Sequence, residues 1–448
     1  MPVPFEILSV SLVDPSATRS PTESRSSLST KIELKTQLSL KGWWKHAGIF
    51  IFASLVLIAR RPDAILRAQF WAEDGKVFFQ EAYNLGWWSA LHRTYAGYFH
   101  TVPRLGASLA LIVPLSFAPL ILNAIAIGGQ ALPVNLILSA RSAAWGNFRF
   151  RSLMAAVYLV LPNLSEAGAN ITNVQSFLGL SVFLMIVAGK PQTSVGRVFD
   201  SLFLILFGLT GPYCIFLLPV AVILAIRQAD RWRWIQTILV ATTVLVQACA
   251  LLTVHGSSRV HPVLGPSLAR FIRILAGQIY LGVLLGTNAL GSIAGLRMFI
   301  FLTFVAIACT FLVTICAVKG SEPMRYFYLF SALVFAAALI SPMLPQQPGH
   351  AMWESMSGAV GSHYWFLPNL AFAWTLLWCF HAPPVIIRIA AAYFLFFMAI
   401  AIVRNFREPA LKDMNFPGYV GEFEASPPGN EVRIPINPEN WSMELIKK

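Results

Sequence analysis

The chain has 448 residues, of which 56% are hydrophobic and only 12% charged, and its formal net charge is +13. Soluble domains carry roughly 25% charged residues, so this composition excludes an ordinary soluble domain and points to an all-α polytopic membrane protein. The positive charge is spread over short segments between apolar runs, where it sets topology, which argues against a nucleic-acid partner.

Residues 1–46 are rich in Ser, Thr and Pro, lack the apolar core of a signal peptide, and are predicted to be a disordered basic cytoplasmic tail. Arg19, Arg25, Lys31, Lys35, Lys41 and Lys45 precede the first span and place its start in the cytoplasm. A multi-pass domain follows over 47–403, with spans expected near 47–60, 152–164, 172–189, 198–209, 212–226, 234–254, 297–318, 325–343, 363–380 and 384–403. The stretch 101–139 reads as one span plus a re-entrant piece or as three short crossings. Either choice makes the basic loops 141–151, 227–233 and 319–325 cytoplasmic, although Arg60, Arg61 and Arg67 run against the rule. The expectation is about 11 to 13 transmembrane helices with external interfacial helices, then a short extracytoplasmic C-terminal segment over 404–448. Thr210-Gly211-Pro212 joins two short runs as a broken hairpin lining a cavity would. Cys214, Cys249, Cys309, Cys316 and Cys379 all lie in apolar runs without CxxC spacing, so neither a metal site nor a disulfide framework is expected.

Most of the polar chemistry falls in the external segments. FWAEDGKVFFQEAYNLGWW, residues 70–88, sets Glu73 beside Asp74 at the start of an amphipathic helix that Gly86 closes. Asp74 reads either as the N-cap of that helix or as a chemical group. The segment continues through His92, Arg93, Tyr95, Tyr98, His100 and Arg104, which favours the second reading. PNLSEAGANITN, residues 162–173, carries Glu166, Asn170 and Asn173 near membrane depth, fitting acceptor or sugar binding in a wet cavity or a hydrated loop. Arg270 and Arg273 lie three apart in an amphipathic run that either holds a lipid head group or anchors the fold. The loop 346–365, with His350, Glu354, His363 and Tyr364, reads as a flexible cover whose aromatic rings stack on sugars or anchor at the interface. His255, Arg259 and His261 complete the external group.

An acidic pair early in a first external loop, after a cytoplasmic N-terminus and one span, resembles the GT-C superfamily of polyprenyl-phosphate-dependent integral-membrane glycosyltransferases. WAEDG, YAGYFHTVPRL, PNLSEAGANITNVQ and IPINPENW look like a bacterial group of this type, over most of 47–448. The resemblance implies a GT-C-like fold in a bacterial inner (cytoplasmic) membrane, with the site facing the periplasm or exterior. It implies inverting transfer of a sugar from a polyprenyl-phosphate donor to a hydroxyl of a glycan, lipid or protein acceptor, beside membrane lipid. Asp74 matches the catalytic base, with Glu73 tuning it. Arg93, Arg104, Arg270 and Arg273 are candidates for the phosphate, and His92, His100, Glu166, Asn170, Asn173, His363 and Tyr364 for substrate binding. SHYWFLP stands where an Arg-Tyr pair is expected, so His363 departs from the pattern. No cofactor is required by this reading, and a divalent cation is left open. No nucleotide-binding motif occurs. The rival readings are a transporter or flippase for a lipid-linked or anionic solute, and a glycan polymerase or ligase.

Overall fold

The computed structural model describes residues 43–164, 166–253, 263–286, 296–342, 349–357 and 361–448. Two units divide the chain, Met1–Ile49 and Phe50–Lys448. The expected disordered tail lies outside the described residues up to 42, as do His255, Arg259 and His261.

The protein is mostly helical, and among the described residues seven helices are long and apolar enough to cross a membrane: Trp43–Arg60, Leu115–Leu138, Arg231–Thr253, Leu268–Leu285, Met298–Lys319, Glu322–Ile340 and Val385–Asn405. This is the fold of an integral membrane protein, with fewer spans than the 11 to 13 expected. For four of the expected spans the reason is length, whereas Ser362–Phe380, expected as 363–380, has 19 residues but is made less apolar by His363, Pro368 and Asn369. Phe148–Leu159, Val174–Val187, Ser194–Gly208 and Tyr213–Gln228 have 12 to 16 residues, short of the roughly 20 that a bilayer core requires. Their boundaries are written in the chain. Asn147 and Thr193 cap two of them, accepting from Phe150 N and Gly196 N, and Pro212 precedes a third. Over 101–139 a ten-residue helix, Thr101–Ala110, precedes one helix long and apolar enough to cross, Leu115–Leu138.

Contacts sort the connections of the second unit into two ends. At one, Arg141 meets Gly189 O and Asp200, Arg233 meets Ile186 O and Ala188 O, and Arg227 meets Glu322. At the other, which we call the Asp74 end, Arg60 meets Leu159 O and Glu408, Asp74 meets Thr172, and Glu166 meets Ser362. Leu268–Leu285, expected as an amphipathic surface piece, is a largely buried apolar helix. Its first, middle and last turns all touch the Asp74 end: Arg270 pairs with Glu354, Gln278 bonds to Ser357 and Asn163, and Gly286 lies against Asn405.

The segment 404–448, expected to be a simple tail, holds a helix, Phe416–Ala425, and two antiparallel strands, Glu431–Ile436 and Trp441–Ile446. It straps the first loop. Gln69 exchanges hydrogen bonds with Lys412 O and Met414 N, Gln80 and Asn84 bond to the second strand, and Trp71 bridges to Asn437.

Candidate functional site

Asp74 opens a wide, π-type turn, Asp74–Phe79, but its side chain caps nothing in that helix. The carboxylate reaches instead to the turn before helix 174–187. Ile171 N donates to Oδ2 at 3.1 Å, and Thr172 donates to Oδ1 through both its backbone N at 2.9 Å and its hydroxyl. Asp74 is 1% exposed, and burial raises its carboxyl to about 7 against the pull of those hydrogen bonds, with Glu73 adding repulsion. The N-cap reading is therefore overturned, and the raised proton affinity belongs to Asp74. Glu73 is only partly buried and accepts from Tyr95 OH at 3.1 Å.

The loop that Asp74 holds carries the second carboxylate. Asn170 and Asn173 both donate to Glu166 O, folding the loop back on itself. Glu166 Oε2 accepts from Gly361 N at 2.9 Å and Ser362 N at 3.0 Å, the start of helix Ser362–Phe380, and His363 Nδ1 lies 3.6 Å away. Backbone amides at a helix start suit a negative group. Asp74, Asn170, Asn173, Glu166 and His363 thus form one connected set, joined through residues 166–173. Tyr364 stacks on the His363 ring at 4.2 Å.

The other predicted site residues are placed elsewhere. Arg104 is 1% exposed, pairs with Glu81 at 2.6 Å and lies over Phe78, while its Nε and Nη2 make no hydrogen bond among the described residues. His100 is equally buried between Phe78, Tyr95 and Tyr98, and burial and Arg104 lower it to about 3, so it stays neutral. Arg93 pairs with Glu81 from the surface, and His92 packs on Trp88 and its carbonyl. Arg270 pairs with Glu354, and Arg273 is exposed. Neither reaches the Asp74 set in any contact seen here. The cover expected over 346–365 contributes Met352 and Met356 to a buried cluster with Ile274, Leu339 and Trp365.

Several groups beyond these candidates build the site. Arg60 and Arg61, which contradicted the charge rule, are buried rather than facing water. Arg60 donates to Leu159 O and Leu161 O, Arg61 donates to Gly168 O, and both pair with Glu408, whose carboxyl burial raises. Gly168 lies so close to Glu408 that a β-carbon there would collide with it. Their breach of the rule was the one signal in the chain. An open cleft of about 700 Å³ lies beside them, lined by Arg61, Trp71 and Glu166 together with Lys412, Glu439 and Asn440. Among the described residues no three His, Cys, Asp or Glu side chains gather as metal ligands would.

No family model matches the chain, and no curated protein matches it either.

Proposed function

We propose that the protein is an integral-membrane glycosyltransferase that moves a sugar, with inversion, from a polyprenyl-phosphate donor to an acceptor hydroxyl. The observation that carries the reading is the Glu166 carboxylate on the wall of the cleft, oriented by two backbone amides and tied through its loop to the acidic pair of the first loop.

Access divides the roles of the carboxylates. Asp74 has both oxygens engaged and no exposed surface to offer, so it positions the 166–173 loop. Glu166 is about a third exposed and is the proton acceptor. The acceptor oxygen attacks the anomeric carbon, the bond from that carbon to the lipid phosphate breaks, and the hydroxyl proton passes to Glu166. His363 Nδ1 lies 3.6 Å from that carboxylate. Sidedness follows from charge. Arg141, Arg149, Arg151, Arg227, Arg231 and Arg233 cluster at the end opposite Asp74, which supports a cytoplasmic placement for them and a periplasmic or exterior one for the cleft, in a bacterial inner membrane.

The test is sugar transfer from a polyprenyl-phosphate donor by the purified protein in detergent. Glu166→Gln keeps an oxygen for the two amides but removes the base, so the rate should fall by roughly 10²- to 10⁴-fold. Undiminished transfer by Glu166→Gln, with loss in Glu73→Gln, would return the proton acceptor to the first loop. Absence of transfer by the folded wild-type protein with any polyprenyl-phosphate sugar sinks the reading.

A further inference from the structure

The cleft has a lining that selects a ligand class. Arg61 and Lys412 bring two positive charges, and Glu166 and Glu439 two negative ones, so the walls are neutral in sum. An anion such as a pyrophosphate would meet carboxylates on both sides and gain no net attraction. A hydrocarbon chain would leave these charged groups desolvated, at a cost of several kcal/mol each in order of magnitude. What the lining does offer, beside one indole, is the Lys412–Glu439 ion pair, the Asn440 amide and the Glu166 carboxylate, a mixture of hydrogen-bond donors and acceptors. Trp71 is half-buried, with the Arg61 guanidinium 6.0 Å from its ring centre, which fixes the indole at the cleft wall. An aromatic ring beside mixed polar groups fits the apolar face and the hydroxyl edge of a pyranose ring together. The volume, about 700 Å³, is within the roughly 300 to 1,000 Å³ of small-ligand sites.

We infer that this cleft binds a neutral saccharide, the acceptor end of the reaction, between the first loop and the strap formed by residues 409–440. The word acceptor rests on the glycosyltransferase reading, whereas the saccharide class rests on the lining alone. The acceptor is thus a glycan or glycolipid and not a protein side chain. Glu166, in the same lining, is where a sugar hydroxyl held on Trp71 would give up its proton.

The experiment is saturation-transfer NMR on the full-length protein in detergent, with cellobiose and chitobiose as neutral probes and inorganic pyrophosphate as the charged one. At least one neutral disaccharide should receive saturation at its ring protons, and excess pyrophosphate should not displace it. Glu439→Gln and Asn440→Gly change exposed positions, the second keeping the left-handed backbone of Asn440 (φ 73°), so they leave folding intact and should each weaken the disaccharide several-fold. Trp71→Ala should weaken it tenfold or more, read only where size exclusion shows a folded protein. Binding that all three variants leave unchanged, displacement by pyrophosphate, or no saturation of either disaccharide overturns the inference. The two readings fail separately. Saccharide binding that needs these side chains, in a protein that turns over no lipid-linked donor, keeps the cleft and removes the enzyme. Donor turnover without saccharide binding does the reverse.

Discussion

At the end marked by Arg141, arginines finish helices. Arg151 donates to Ile137 O and Ser139 O, and Arg233 to Ile186 O and Ala188 O, filling the orphan carbonyls that helix C-termini leave. At the Asp74 end Arg60 performs the same service for Leu159 and Leu161, and each end sets a buried carboxylate on arginine, Asp200 on Arg141 and Glu408 on Arg60 and Arg61. Arg104 and Arg60 keep nitrogen atoms without hydrogen bonds among the described residues, and a cleft opens beside Arg61. The same residue type thus closes helices at both ends, and unused guanidinium nitrogens distinguish the Asp74 end. Buried cationic groups with unused bonding capacity are costly, and they mark the end where a ligand has something to complete.

The largest effect expected from breaking this contrast is at Glu408. Glu408→Ala leaves Arg60 and Arg61 as buried cations without their carboxylate, and loss of one partner of a buried pair costs about 3 to 5 kcal/mol. Thermal unfolding in detergent measures it, and a loss below 1 kcal/mol would show that the pair bears no load. Asp74 comes next. Its folded-state carboxyl, raised from 3.8 to about 7, favours the protonated form. The stabilisation from that preference is complete below about pH 3.8 and disappears as pH rises through about 7, with an upper size of roughly 4 kcal/mol. Wild-type melting temperature should therefore fall between pH 4 and 8 by more than that of Asp74→Asn. Parallel curves for the two proteins would remove Asp74 as the titrating group. At the opposite end Arg233→Ala frees two helix carbonyls and should cost about 1 to 3 kcal/mol without changing saccharide binding. The smallest effect belongs to Arg227→Ala, because the Arg227–Glu322 pair is half-exposed and worth about 0 to 1 kcal/mol. A loss there as large as at Glu408 would erase the distinction between the ends.

The sequence reveals the membrane class because apolar runs and charge bias are local properties. It overstates the crossings because an apolar run of 12 to 16 residues looks like a span until its length is set against the bilayer. Within the site, the 166–173 loop was readable from clustered polar residues at membrane depth. The partners of Asp74 were not. Ile171 and Thr172 bind it mainly through backbone N–H groups, which every residue but proline owns, so no side-chain pattern announces them. The cleft was hidden for another reason. Lys412, Glu439 and Asn440 are ordinary surface residues whose meaning comes only from lining one cleft with Trp71.

The strap joins residues that are far apart along the chain: Gln69 with Met414 and Asn84 with Ile446, 345 and 362 positions away. Contacts of such separation form late, since the loop between them must first be closed. On the ribosome, Arg61, Trp71 and Glu166 emerge long before residues 409–440 exist to face them. During most of its synthesis the chain has one wall of the cleft and nothing opposite. A partly made protein inserted in the membrane therefore cannot hold a ligand at this position, and completion of the site doubles as a record that the chain has been read through to its strap.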